Sequence, residues 1–128
     1  MTAISYHDTV NDLQGLEWSD AGPFARPEWF ALLEKSGIEP LFVTASEGDQ
    51  SIALPLHRAD GAFEALTNWY AFTWSDLRTS ALTDSAMLEA LARDLARRTH
   101  RVTLTKLPEE DGTLARLAGA FRAAGWGV

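Results

Sequence analysis

The sequence contains no cysteine, and it also lacks glycine over a long central stretch. The absence of cysteine among 128 residues excludes disulfide bonds, thiolate nucleophiles and cysteine-ligated zinc. There is no glycine between Gly61 and Gly112. Phosphate-binding loops need glycine because their backbone N–H groups must approach the ligand closely. The central part of the chain therefore has no loop of this type, and neither a Gly-x-Ser-x-Gly nor a Walker-type motif occurs anywhere.

Long apolar runs are missing as well. The longest strongly apolar run extends from Trp29 to Leu33, far short of the roughly 20 residues that a helix needs to cross a bilayer. The first eight residues lack the basic and apolar regions of a secretory leader. Together with the absence of cysteine, these features predict a soluble, cytoplasmic protein.

Basic side chains are scarce in the first half of the chain. The net charge is −7, and residues 1–64 carry eleven acidic side chains against three basic ones. Residues 65–128 carry seven acidic and eight basic side chains. The acidic half is expected to repel phosphate backbones, which argues against nucleic-acid binding. The three histidines, at positions 7, 57 and 100, do not have metal-ligand spacing.

The hydrophobic pattern predicts one mixed α/β domain, with a largely antiparallel central sheet of about six strands flanked by helices. The predicted order is β-α-α-β-β-β-α-β-α-β. Strands are predicted at Ile4–Tyr6, Leu41–Ala45, Ser51–His57, Phe63–Asn68, Val102–Lys106 and from Trp126 onward. Helices are predicted from Asp8-Thr9 through Leu16, from Pro27 to a stop at Gly37, from Thr83 or Asp84 to Arg98, and from a cap at Asp111 to a stop at Gly125.

The same pattern predicts which faces are buried and where the chain turns. Turns are expected at Glu47-Gly48-Asp49 and Ala59-Asp60-Gly61. Pro55 lacks a backbone donor, so its strand is predicted to be an edge strand or bulged. The expected core faces of the helices are Trp29, Leu32 and Leu33; then Leu88, Leu91, Ala92 and Leu95; then Leu114, Leu117, Ala118 and Phe121.

The element order and several short motifs resemble the acyl-CoA-dependent N-acetyltransferase (GNAT) superfamily. The motifs are Phe24-x-x-Pro27-x-Trp29, Leu54-Pro55-Leu56, Leu66-x-Asn68-Trp69-Tyr70 and Ala120-Phe121-x-x-Ala124-Gly125-Trp126. They are similar to the N-terminal half of FemAB-like acetyltransferases, including relatives associated with cellulose biosynthesis, which carry two GNAT-like halves in tandem. The resemblance implies that residues 1–128 form a single GNAT-like domain. A strand opening at Trp126 further leads us to expect the N-terminal half of a longer tandem protein.

The resemblance also implies which half of the intact protein binds the acyl donor. In the superfamily, an Arg/Gln-x-x-Gly-x-Gly/Ala loop between the fourth strand and the next helix holds acyl-CoA. The corresponding interval here, 67–84, contains no glycine, so we expect this half to bind no cofactor. Acetyl-CoA or another acyl donor is implied for the intact protein, where a C-terminal catalytic half or second GNAT-like domain would be the partner. The implied acceptor is a small-molecule amine.

An aromatic segment supplies the candidate substrate-binding residues. Four aromatic residues lie within positions 69–74, and Asn68, Trp69, Tyr70 and Trp74 are the candidates for contact with substrate. The alternative is a plug of packed aromatic rings that covers the cofactor position, or a face that docks a second domain.

Histidine and charged side chains are weaker candidates for a catalytic or phosphate-binding role. His57 and Glu64 should be neighbours across a hairpin, either as a general base for acyl transfer or as a solvent-facing pair. Spacing identifies no partner for His7 or His100. The basic cluster of Arg93, Arg97, Arg98, His100 and Arg101 could hold phosphate or simply complement a helix C-terminus.

Three functional hypotheses remain open at this stage. The first is a FemAB-like N-acyltransferase of which this chain is the cofactor-free half that shapes the acceptor site. The second is a non-catalytic protein-interaction module that pairs through the open edge at Val128 or through the aromatic face. The third is a minimal acetyltransferase with His57 or Glu64 as its base, which the missing glycine loop disfavours.

Overall fold

The fold was taken from a computed structural model, which describes residues 2–13, 27–66, 74, 76–79, 85–107 and 112–128. Within these residues, helices form at Pro27–Lys35 (α1), Ser85–Leu95 (α2) and Thr113–Ala123 (α3), with a short 3-10 helix at Val10–Leu13. Strands form at Ala3–His7 (β1), Pro40–Glu47 (β2), Gln50–Ala59 (β3), Ala62–Ala65 (β4), Leu77–Arg78 (β5) and Val102–Thr103 (β6). None of the helices in this part of the chain is long and apolar enough to cross a membrane.

The described strands form one mixed, mostly antiparallel sheet. Its order is β1-β2-β3-β4-β6, and β5 pairs with β3. The pairs from β1 to β4 are antiparallel, whereas β6 runs parallel to β4 after the crossover through α2. The prediction of a mixed α/β domain around a largely antiparallel six-stranded sheet is therefore confirmed.

Two tight turns set the register of the meander, as predicted. Glu47 pairs with Gln50, and Ala59 pairs with Ala62. Asp60 and Gly61 in the second turn have φ values of 51° and 78°. Two-residue hairpin turns with both central φ angles positive match the right-handed twist of the strands, and Asp-Gly is a favoured sequence for them.

The sheet is covered on both faces, so alternate residues of β2 and β3 enter different cores. One face packs against α2 and α3, and its buried members include Leu41, Val43, Ala45, Ile52, Leu54, Leu56, Leu88, Leu91, Leu95, Leu117 and Phe121. The other packs against α1 and the 3-10 helix, and its buried members are Leu13, Phe30, Leu33, Phe42, Ala53, Leu66 and Leu77.

The predicted core face is correct for α2 and wrong in part for the other two helices. In α1 the side chain of Leu32 is 57% exposed, and Phe30 is buried in its place against Phe42. In α3 the side chain of Leu114 is 41% exposed, although Leu117 and Phe121 are buried as predicted. Helical periodicity identifies an apolar stripe, but the neighbouring element determines which edge of that stripe is covered.

The predicted strand beginning at Trp126 is absent, because the chain turns back onto the helices there. Gly125 has a φ of 97°, the left-handed conformation of a helix-ending glycine. The Trp126 N–H donates to the Phe121 carbonyl oxygen at 2.9 Å, and the Gly125 N–H donates to that of Arg122 at 3.0 Å. These two bonds define a Schellman motif, whose hydrophobic contact is the edge-to-face pair of Phe121 and Trp126. The stop at Gly37 has the same two bonds.

The strand containing Pro55 is central, which corrects the first predicted alternative, an edge strand; its register with β2 continues through Pro55 without an extra residue, which corrects the second, a bulge there. One side of β3 pairs with β2 at 50–57, while the other pairs with β5 at 52–53 and with β4 at 56–59. Pro55 lies between these two partners. Its carbonyl oxygen accepts hydrogen bonds from the Leu66 N–H at 2.9 Å and from Trp74 Nε1 at 2.8 Å. Pro55 has no backbone N–H to donate, and neither β5 nor β4 pairs with β3 at this position, so no ladder hydrogen bond is lost.

Several other predicted boundaries differ from the structure. The helix predicted from Asp8-Thr9 is the 3-10 helix at 10–13, and its predicted end at Leu16 lies outside the described residues. The N-cap of α3 is Gly112, not Asp111. The strand predicted over 102–106 is paired only at 102–103, and the short strand β5 was not predicted.

Candidate functional site

Trp74 is the one candidate substrate residue that lies within the described part of the chain, and it is buried. Its side chain is 2% exposed and belongs to the core between the sheet and α2 and α3. The indole Nε1–H donates to the Pro55 carbonyl oxygen at 2.8 Å. The backbone N–H of Trp74 donates to the Lys106 carbonyl oxygen at 2.9 Å. Trp74 therefore links β3 to the segment that follows β6.

The other three candidates, Asn68, Trp69 and Tyr70, lie outside the described residues, so their part in a substrate site stays a prediction. The chain enters this interval at Leu66, which is buried and hydrogen-bonded to β3. It leaves at Trp74, which is anchored by two hydrogen bonds.

In the described part of the interval, residues 74 and 76–79, two backbone N–H groups are bonded to other segments of the protein. A site for an acyl-CoA pyrophosphate needs backbone N–H groups that face the ligand. Here the N–H of Trp74 donates to Lys106, and the N–H of Thr79 donates to the Ser51 carbonyl oxygen at 3.0 Å. No step of acyl transfer is therefore assigned to coenzyme A bound at these residues.

His57 and Glu64 are neighbours, as predicted. They occupy directly opposed positions in the β3–β4 hairpin, and His57 Nε2 lies 3.7 Å from Glu64 Oε1. The two side chains are 25% and 39% exposed. At this distance they form a loose ion pair when the imidazole is protonated, a cross-strand contact that contributes a few tenths of a kcal/mol. The role of the pair as a general base remains a prediction.

The basic cluster at the end of α2 is partly engaged within the protein. Arg93 Nη2 donates to Glu89 Oε1 at 2.7 Å, one helical turn earlier. The guanidinium carbon of Arg98 lies 4.3 Å from the centre of the Tyr6 ring, which is a cation–π contact. These contacts favour the helix-terminus interpretation for Arg93 and Arg98 over a phosphate grip.

Sequence reasoning missed a buried ion pair between the β5 region and α3. The Asp76 side chain has no exposed surface, and its two oxygens accept hydrogen bonds from Arg116 Nη1 at 2.7 Å and Nη2 at 2.9 Å. Arg78 Nε lies 4.0 Å from the same carboxylate. Asp76 and Arg116 are 40 residues apart, so no local spacing could have indicated the pair. A carboxylate this enclosed is stabilised by its partner and holds α3 against the sheet.

A second missed cluster joins β1 to its neighbours. His7 Nδ1 lies 3.6 Å from Asp12 Oδ2, and His7 Nε2 lies 3.4 Å from Thr44 Oγ1. The line of carboxylate, imidazole and hydroxyl resembles that of a hydrolytic triad. However, the Thr44 hydroxyl can also donate to the Ser5 carbonyl oxygen at 3.4 Å. The tautomer of His7 decides whether Thr44 donates to the imidazole or accepts from it, so the geometry does not establish an activated nucleophile.

A third cluster fixes the other side of β1 to α2. The Tyr6 hydroxyl donates to Asp94 Oδ2 at 2.5 Å. Burial, and then the hydrogen bond to Asp94, raise the pKa of the Tyr6 phenol far above its ordinary value, and the nearby Arg98 opposes the shift only partly. The phenol is held protonated as a donor, so it anchors the edge strand rather than serving as a base.

The described residues do not assemble a metal centre or a complete catalytic constellation. No group of three or more His, Asp or Glu side chains in this part of the chain could hold a metal ion. An apolar groove lies beside β6 and α3, and its lining includes neither Trp74 nor the His57–Glu64 pair. Comparison of the chain with models of protein families, with curated proteins and with solved structures found no match.

Proposed function

We propose that this chain is the cofactor-free, GNAT-like half of a FemAB-like N-acyltransferase and helps to shape its acceptor site. The observation that carries the proposal is the position of Trp74. It lies between the end of β4 and the start of α2, in the interval where the resemblance places an acyl-CoA loop. Its indole and backbone N–H groups both donate to neighbouring chain segments. These bonds of Trp74 support a bracing role for this position, with cofactor binding left to another domain.

The order of elements gives further support. A meander of antiparallel strands is followed by a helix, a strand parallel to β4 and another helix. The remaining acceptor candidates, Asn68, Trp69 and Tyr70, belong to the segment that connects the buried Leu66 to the buried Trp74.

The first test is titration calorimetry of acetyl-CoA against the purified chain. We expect no heat up to millimolar ligand from a sample whose circular dichroism and cooperative urea unfolding show that it is folded. Micromolar binding would overturn the cofactor-free assignment and support the minimal acetyltransferase. In that case Arg93 and Arg101 would be the first residues to substitute.

The second test addresses the acceptor site. A nitrogen-15-labelled sample is titrated with a panel of primary amines comprising amino acids, amino sugars and aliphatic diamines. We expect amide and indole shifts confined to Asn68, Trp69, Tyr70 and their neighbours. An absence of shifts there with every amine of the panel would contradict the acceptor-site proposal.

The second candidate function is a protein-interaction module, and a specific observation favours it. Leu32, Leu114 and Val128 are the large hydrophobic side chains that are exposed among the described residues. Two of them, Leu114 and Val128, line the groove beside β6 and α3. Exposed apolar side chains that converge on a recess are typical of a binding surface.

A further inference from the structure

The C-terminal half of helix α3 is anchored to α2 by packing and by hydrogen bonds. Trp126, just beyond the helix, packs edge-to-face against Phe121. Its Nε1–H donates to the Ala92 carbonyl oxygen of α2 at 2.8 Å. In the other direction, Arg93 Nη2 of α2 donates to the Ala123 carbonyl oxygen at 3.3 Å. These contacts hold the end of α3 in place from both sides.

The N-terminal half of α3 is less firmly fixed. Its N-cap is Gly112, which makes no side-chain capping bond, and its first turn contains no acidic residue to complement the helix dipole. Leu114 is 41% exposed. A groove of about 380 Å³ lies between the helix and the segment containing β6, so packing on this side is incomplete. Gly119 lies between the two halves and weakens the helix there relative to alanine.

A buried ion pair seats this N-terminal half. The Asp76 carboxylate, with no exposed surface, accepts hydrogen bonds from Arg116 at 2.7 and 2.9 Å. In the seated helix both charges have lost much of their hydration. When the helix lifts, both return to water, and the recovered hydration offsets much of the lost attraction. The pair can therefore open at a lower cost than its short distances suggest.

We propose that the N-terminal half of α3 is a lid, latched by the Asp76–Arg116 pair and hinged at the anchored C-terminal half. The lid opens by itself, while α2 and the sheet remain folded, as a local opening of lower free energy than global unfolding. Opening hydrates Asp76 and uncovers Leu117, which is 1% exposed in the closed state. The proposal rests on the contacts of α3 and not on the acyltransferase assignment, so either can fail alone.

The test is thiol labelling of single cysteines placed in a chain that contains none. The probes are Thr113→Cys on the lid, Ala120→Cys beyond the hinge and Ala92→Cys in α2, at residues that are 1%, 8% and 0% exposed. When reclosing is faster than labelling, the labelling rate follows the open population. We expect Thr113→Cys to react at least about tenfold faster than the other two, with a weaker dependence on urea because a local opening exposes little surface.

Variants of the latch, each combined with Thr113→Cys, test what holds the lid. Arg116→Met removes both hydrogen bonds to the buried Asp76 carboxylate, so the open state is favoured and labelling should accelerate at least about tenfold. Adding Asp76→Leu removes the carboxylate and should return the rate toward that of the parent. The matched control is Arg93→Met, at a 2.7 Å pair whose arginine is 59% exposed, which should change the rate less than about threefold.

Three results would each overturn the proposal. Equal rates at the three probes, with the same urea dependence, would show that α3 opens only in global unfolding. Fast labelling of Thr113→Cys that Arg116→Met leaves unchanged would indicate fraying of the helix end without a latch. A double variant that reacts as fast as Arg116→Met would show that the buried carboxylate does not drive opening. Circular dichroism verifies that each variant is folded, and the comparison of the three probes remains decisive if Arg116→Met fails to fold.

Discussion

Replacing Arg116 by methionine should be among the most destabilising single changes in this protein. The substitution keeps much of the side-chain volume but removes both hydrogen bonds to Asp76, whose side chain is 0% exposed. Removing one partner of a buried pair typically costs about 3–5 kcal/mol, because an uncompensated charge remains. Arg78 Nε, 4.0 Å from the carboxylate, retains part of the compensation. We therefore expect a loss of about 3 kcal/mol in the free energy of unfolding.

The reciprocal change, Asp76→Leu, should lower the free energy of unfolding by less than Arg116→Met does. This difference is the most specific part of the prediction. Asp76→Leu removes the buried charge itself, and the Arg116 side chain, 25% exposed, can turn its guanidinium toward water. We expect a loss of about 1–2 kcal/mol. The double variant Asp76→Leu with Arg116→Met should be more stable than Arg116→Met alone, because the buried carboxylate that has lost its two Arg116 hydrogen bonds is removed as well.

The assay is urea denaturation at pH 7, followed by circular dichroism, for the complete double-mutant cycle. The matched control is Arg93→Met, because Arg93 lies the same 2.7 Å from Glu89 but is 59% exposed. We expect this variant to lose only about 0.3–0.5 kcal/mol. A loss below about 1 kcal/mol for Arg116→Met would refute the argument from burial, because the pair would then behave like the exposed one.

Three other substitutions test separate parts of the structure. Trp74→Phe should lower the free energy of unfolding by about 2 kcal/mol in urea, since a 2% exposed ring loses volume and a hydrogen bond; no change would place the ring outside the core. In the folded protein the pKa of Tyr6 is raised above its ordinary value of 10.0, so the stability that Tyr6 contributes should be fully present below pH 10 and fall as the pH rises further. Tyr6→Phe should reduce the loss of unfolding free energy above about pH 10, measured by urea unfolding at pH values from about 8 to 11. An unchanged dependence of this free energy on pH would contradict the raised pKa of Tyr6. Gly125→Ala should cost about 1 kcal/mol from the left-handed φ of 97° alone. Its added Cβ meets no atom within 4 Å, and neither does that of the control Gly119→Ala inside α3, which should instead gain about 0.5–1 kcal/mol in thermal unfolding.

The parts of the fold that sequence predicted well are those determined by short-range chemistry. The two hairpin turns depend on Gly48 and on Asp60-Gly61, and both form where expected. The stop at Gly37 and the apolar stripe of α2 are equally local signals, and both are confirmed. In each case a few neighbouring residues supply both the conformational preference and the partner that satisfies it.

The parts that sequence missed depend on contacts between distant residues. Asp76 and Arg116 are 40 residues apart, and Tyr6 and Asp94 are 88 apart; no spacing rule connects either pair. His7 similarly gains Thr44 as a neighbour because β1 pairs with β2, whereas Asp12 lies close by in the 3-10 helix. The candidate site could therefore be predicted only where a hairpin brings its members together, as for His57 and Glu64.

Pro55 shows how a correct local rule can lead to a wrong topology. A proline in a strand does remove a ladder donor, and the usual result is an edge position. In this protein the strand is central, but its partner on one side changes from β5 to β4 at the proline. The indole of Trp74 occupies that junction and donates to the Pro55 carbonyl oxygen. Because Trp74 thus completes the bonding of a central strand, we expect loss of its indole N–H to loosen the β3–β5 junction before it affects the β2–β3 ladder. Amide hydrogen exchange of Trp74→Phe can measure this order, and equal acceleration in both ladders would show that the indole does not hold the junction.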